Sequence, residues 1–90
     1  MPEPEYDAPN ARRRRLLFRA THRGTFENDL MIGGYVRTNL ATLTDTDIEA
    51  LERLLEIPDV DLADWLTGRR PIPICAETPM LRRIKESLRQ

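Results

Sequence analysis

Between Thr21 and Asp29 the chain reads THRGTFEND, which crowds Arg23, Gly24, Glu27, Asn28 and Asp29 into a few residues. Arginine offers a rigid fork of donors for a carboxylate or a carbonyl. A glycine next to it leaves room for another backbone to come close. Glu27 puts a carboxylate in front of an apolar segment, where it can support the positive end of a helix. Three roles fit this corner: a catalytic site, a charged helix boundary, or a docking surface for another protein.

Elsewhere the residues for chemistry are sparse. A zinc site needs several convergent thiolate or imidazole ligands, and the chain has one histidine, His22, and one cysteine, Cys75. Ser87 is the sole serine, at the end of a charged segment, which argues against a Ser/His/Asp triad. The glycines occur as RG, GG and TGRR without the spacing of a phosphate loop. His22 beside Arg23 reads as an exposed member of a basic turn. Cys75, in RRPIPICAET, reads as a small half-buried apolar residue, and a single cysteine excludes an internal disulfide. The chain is not expected to be an enzyme, nor to hold a metal or a cofactor stably.

Charge is unevenly spread behind a net value of −1. Arg12, Arg13, Arg14, Arg15, Arg19 and Arg23 give segment 12–23 six positive charges and no acid, whereas 27–64 holds ten acids against Arg37 and Arg53. These charges can pair with one another once the chain folds. The run Arg12–Arg15 also allows an alternative role, a small helical regulator that follows a phosphate backbone. Against it stand the acidic middle and the lack of aromatics among the arginines to stack on bases.

Ninety residues provide one domain and a stability of roughly 5–10 kcal/mol. No segment approaches the ~20 apolar residues of a membrane span. The opening MPEPEYDAPNARRRR lacks the apolar core of a secretory signal, so the expected compartment is the cytoplasm. Residues 1–10 read as a disordered lead-in and 11–90 as a single helical domain.

The elements that must position the corner are all helical. The first helix starts at Asn10 as cap, buries Leu16, Leu17 and Ala20, leaves Phe18 to one side, and ends at Gly24. A second runs from Phe26 to about Leu40, with Phe26, Leu30, Met31 and Gly34 at helical spacing. Gly33-Gly34 either breaks it or lets a neighbouring helix approach closely. In the third, Thr44 and Asp47 form a capping box, Leu43 and Ile48 a staple, and Ile48, Leu51, Leu54 and Leu55 the apolar stripe, stopped by Pro58. Asp59 or Asp61 caps a fourth, with Leu62, Trp65 and Leu66 inward and Gly68 closing it. Thr78-Pro79 opens a fifth, whose stripe is Leu81, Ile84 and Leu88. The fold class is all-α, a small bundle of five short helices.

At the corner itself the chain resembles the small flavinylation factors of succinate dehydrogenase, the SdhE type of bacteria and its mitochondrial counterparts. Their R-G-x-x-E motif stands here as Arg23-Gly24-Thr25-Phe26-Glu27. The likeness continues through RLLFRATHRG, ENDLMIGGYV and RLLEIPDVDLADWLTGRRPIP, over roughly residues 12–75. The resemblance implies a five-helix fold. It also implies a monomeric factor that binds the flavoprotein subunit of succinate dehydrogenase, and often of fumarate reductase, and promotes covalent attachment of FAD there. The flavoprotein itself would carry out the reaction. By the same resemblance Arg23, Gly24 and Glu27 are partner-binding, Asn28 extends the motif, and Arg15 and Arg19 are further contacts on the preceding helix. Thr25, where relatives commonly have a larger apolar residue, and His22, where they often have Lys or Arg, depart from the pattern.

Overall fold

The computed structural model describes residues 8–89. Five α-helices follow in order: α1 Ala8–Thr21, α2 Phe26–Asn39, α3 Asp45–Leu54, α4 Asp59–Thr67 and α5 Pro79–Ser87, with 3-10 turns at Leu40–Thr42 and Ile74–Ala76. No strand occurs among the described residues.

Local chemistry explains most of the helix ends. At α3 the Asp47 N–H donates to Thr44 Oγ1 at 3.0 Å and the Thr44 N–H donates to Asp47 Oδ2 at 3.1 Å, the expected capping box. At α5 the Leu81 N–H donates to Thr78 Oγ1 at 3.2 Å, and Pro79 occupies the first turn, where its missing N–H costs nothing. Gly68 ends α4 in the left-handed conformation, φ 83°. Two expected caps are not caps. Helix α1 is already helical at Ala8, so Asn10 lies in its first turn and the helix extends into the stretch assigned to the lead-in. Residues 1–7 of that stretch lie outside the described residues. Asp59 is the first residue of α4, after Pro58, and its carboxylate serves another purpose.

All five helices contribute to one core. Leu16 and Ala20 come from α1, Ile32 and Val36 from α2, Ile48, Leu51 and Leu54 from α3, Leu62, Trp65 and Leu66 from α4, and Met80, Leu81 and Ile84 from α5, with Leu43 and Leu55 at the ends of α3. Leu88, expected on the stripe of α5, sits at the exposed edge, and Met80 takes the buried place.

Helix α2 is turned differently from the expectation. Its inward side is Asn28, Ile32, Gly33 and Val36, while Phe26 is 79% and Leu30 59% exposed. The α1–α2 contact explains this rotation. A Cβ on Gly33 would lie 2.7 Å from Thr21 Cγ2 and 3.1 Å from the Ala20 carbonyl oxygen. Only a glycine lets the two backbones approach so closely. The helix therefore runs unbroken through Gly33-Gly34 and presents its glycine, not its aromatic residue, to α1.

The two glycines should then respond in opposite ways. Gly33→Ala is expected to lose up to about 2 kcal/mol, an overpacking cost of roughly 1–3 kcal/mol less ~1 kcal/mol of helix propensity. At Gly34 an added Cβ meets nothing within 4 Å, so Gly34→Ala should gain up to about 1 kcal/mol. Thermal unfolding of both variants checks the pair.

Candidate functional site

Helices α1 and α2 meet at a tight corner. Gly24 turns it with φ 93°, a conformation that only glycine adopts readily, and a Cβ there would meet nothing within 4 Å. From the first turns of α2, Asp29 closes the corner: its Oδ1 accepts the Arg23 N–H at 2.8 Å.

The Arg23 side chain points inward, not toward solvent, and is only 10% exposed. Its fork is filled by its own chain. Nε donates to Asp59 Oδ1 at 2.5 Å, one terminal nitrogen to the Leu55 carbonyl at 2.8 Å, and the other to the Ile57 carbonyl at 2.8 Å. The guanidinium thus sits between the carboxyl end of α3 and the amino end of α4, where a cation and an anion respectively suit the helix dipoles. Asn28 is fully buried, and its Nδ2 donates to both the Asp59 carbonyl (2.9 Å) and Asp59 Oδ1 (3.0 Å). Among the described residues, Asn28 Oδ1 and Trp65 Nε1 are buried without a hydrogen-bond partner. Burial pushes the Asp59 carboxyl up, but the hydrogen bonds from Arg23 and Asn28 and the charge of Arg23 outweigh it and hold it below the usual carboxylate range.

Glu27 faces outward. Its Oε1 pairs with Arg69 at 2.8 Å, Arg69 reaches Asp64 at 3.0 Å, and Arg70 joins Asp64 (2.7 Å) to Asp61 (2.6 Å). This ladder links the first turn of α2 to α4 and the loop after it. The Glu27 and Arg69 side chains are about half exposed, so their attraction contributes little stability and leaves both accessible. Phe26 and Leu30, one helical turn apart on α2, are exposed on the same helix as Glu27.

The basic helix is largely spoken for. Arg12 makes a two-pronged pair with Glu52 at 3.0 and 2.6 Å. Arg13 donates to the Leu40 and Leu43 carbonyls at 2.5 and 2.7 Å, which satisfies groups at the start and the end of the 3-10 turn after α2. Arg19 pairs with Glu56 at 2.8 Å, immediately beside the carbonyls that Arg23 holds. Arg15 is exposed on the outer side of α1. His22 is exposed as expected, stacked on Phe18 with ring centroids 4.0 Å apart. Cys75 is exposed, not half-buried; it falls in the short 3-10 turn, which offers it no shelter.

Of the residues singled out in the sequence, Arg23, Gly24, Glu27 and Asn28 converge on the corner, with Arg19 at its flank through Glu56 and Arg15 further along α1. Their roles divide: Arg23 and Asn28 face the interior, Gly24 and Glu27 the outside. Sequence reasoning missed Asp59 and Arg69. The signal for Asp59 was an aspartate directly after the proline that stops α3, read only as a cap.

No group of three or more His, Cys, Asp or Glu able to hold a metal occurs among the described residues. None of the described helices is long and apolar enough to cross a membrane.

The corner is carried on a five-helix frame. Residues 14–88 match the family described as flavinator of succinate dehydrogenase, and the chain belongs to that family. It is 56% identical over 79 residues to the FAD assembly factor SdhE of Acetobacter pasteurianus, covering 88% of this chain and 72% of that protein. It is 37% identical over 78 residues to the FAD assembly factor SdhE of Ralstonia nicotianae, covering 87% and 81%. The mitochondrial succinate dehydrogenase assembly factor 2 of Mycosarcoma maydis is 34% identical over 73 residues, 81% of this chain but only 31% of that longer protein. No solved structure matches the chain.

Among the described residues, four carboxyls stand below their ordinary values. Asp47 is held down chiefly by Arg83, Glu52 by Arg12, Asp64 by Arg70 and Arg69, and Asp59 by Arg23 and Asn28 against the opposing effect of burial. Depressed folded values contribute stability that is present above the unfolded pKa of about 4 and is lost as pH falls through the folded values. The unfolding midpoint is therefore expected to stay level from pH 7 to about 5 and to drop below pH ~4. Asp59→Asn should shrink that drop, as thermal unfolding across the pH range would measure.

Proposed function

We propose that this protein binds the flavoprotein subunit of succinate dehydrogenase and promotes covalent attachment of FAD to it, with the flavoprotein of fumarate reductase as a second client. The observation that carries this reading is the Gly24 corner, a left-handed glycine with open space before it, in a chain of the flavinator family. A partner's backbone can come against Gly24, with the Glu27 carboxylate beside it and Phe26 and Leu30 adding apolar area. Arg15 and Arg19 extend the contact along α1, while Arg23 and Asn28 support it from within.

The chain takes no chemical step in this account. The FAD belongs to the partner, and the flavoprotein's own groups form the bond. The factor acts by holding the flavoprotein in a productive arrangement, which can supply several kcal/mol without any donated group. It acts as a monomer, in the cytoplasm where the flavoprotein folds. The inward engagement of Arg12 and Arg13 speaks against the nucleic-acid role, since it removes half of the RRRR run from any phosphate backbone.

Covalent FAD on the flavoprotein subunit, read by in-gel flavin fluorescence in cells lacking this protein, tests the proposal. Wild type should restore fluorescence; full fluorescence without the protein would sink the reading. Gly24→Arg should keep its helical circular dichroism while losing about 1–2 kcal/mol, because a side chain is strained at this φ. Its arm would fill the open space and abolish partner binding in a pull-down. Glu27→Ala should change stability by no more than about 1 kcal/mol, because its ion pair is half exposed, yet weaken flavinylation. Wild-type fluorescence from the Glu27→Ala protein would remove Glu27 from the contact.

A further inference from the structure

Asp59 is joined to the motif on both sides of its exposed part. Its Oδ1 accepts from Arg23 Nε at 2.5 Å and from Asn28 Nδ2 at 3.0 Å, and its carbonyl accepts from Asn28 again at 2.9 Å. Arg23 and Asn28 bracket the four residues Gly24 to Glu27 in the chain. One carboxylate at the start of α4 therefore holds both ends of that segment. Helix α4 also reaches its outer side, through Asp64, Arg69 and Glu27.

The bonds around Asp59 are all made within the chain. Each terminal Arg23 nitrogen donates to one carbonyl, of Leu55 or Ile57, and both Asn28 amide contacts go to Asp59. Without the carboxylate, Arg23 Nε and Asn28 Nδ2 each lose an acceptor in a region with little water to replace it. The segment between them would then sample other conformations. A mobile corner must be ordered when it binds, and that ordering entropy is subtracted from affinity.

We infer that Asp59 is a positioning residue for partner binding: through Arg23 and Asn28 it presets the Gly24–Glu27 corner in the shape that the flavoprotein meets. The inference rests on the proposed function, and it assigns the motif's arginine and asparagine to this internal clamp, leaving Gly24 and Glu27 as the contacting pair.

The test uses the full chain with Asp59→Ala and Asp59→Asn, at a temperature where circular dichroism finds each variant folded. Amide hydrogen exchange at 24–27, affinity for the isolated flavoprotein subunit, and the rate of covalent flavinylation are measured together. Asp59→Ala is expected to exchange faster at 24–27 and to bind about tenfold more weakly. Excess factor should restore its flavinylation rate, so that half-saturation moves while the maximal rate stays. Asp59→Asn, which keeps an acceptor oxygen for Arg23 and Asn28, should fall between Asp59→Ala and wild type.

Ile84→Val, buried in the core on α5, is the control for lowered stability alone and should bind as wild type does. A folded Asp59→Ala with wild-type affinity overturns the inference, as does weaker binding with unchanged exchange at 24–27. If Asp59→Ala does not fold, the same two criteria apply to Asp59→Asn. Failure of wild type to stimulate flavinylation would count against the proposed function instead, and the exchange result would still report on the clamp.

Discussion

The arrangement of the corner depends on one guanidinium. Arg23 leaves the α1–α2 turn and ends between two carbonyls of the α3–α4 turn and the first carboxylate of α4. Buried charge is expensive unless it is paired and its donors are satisfied. Here one carboxylate and two carbonyls serve that demand, and they come from the start of α4 and from the α3–α4 turn. Removing any of these partners would strand a charge, so the α3–α4 turn and the α1–α2 turn are obliged to keep the same relative position. The site and the fold share this interaction.

The rest of the electrostatics follows the same pattern of long-range complement. The arginines of α1 find the acids in and after α3: Arg12 meets Glu52 and Arg19 meets Glu56. The asymmetry of charge along the chain is thus partly an instruction for which helices lie together. What remains outward near the corner is mixed in sign, with Glu27 paired to Arg69 and the apolar Phe26 and Leu30 exposed on the same helix as Glu27. Such a surface resembles the composition of transient protein interfaces, which carry polar groups around a small apolar centre.

Helix count, fold class and most caps were legible in the sequence because they rest on local chemistry. Thr44 with Asp47, Thr78 with Pro79, and Gly68 each act within a few residues of themselves. The rotation of α2 was not legible, because apolar residues lie on several of its sides and the decisive contact is between Gly33 and Thr21 of another helix. The same limit applied to Arg23. Its type and its glycine neighbour marked the corner correctly, but nothing local reveals that carbonyls 32 and 34 residues away would occupy its fork. Asp59 was read as a cap because that role is local, whereas its partners stand 36 and 31 residues earlier.

Two of the three groups that hold the Arg23 side chain are main-chain carbonyls, and a carbonyl is the same whatever residue bears it. The arginine therefore senses the path of the α3–α4 turn and not its lettering. Drift in the side chains of that turn, Glu56 foremost, leaves the grip intact, while a single inserted or deleted residue would carry the carbonyls out of reach. For this segment length is the constrained quantity, and spelling is comparatively free.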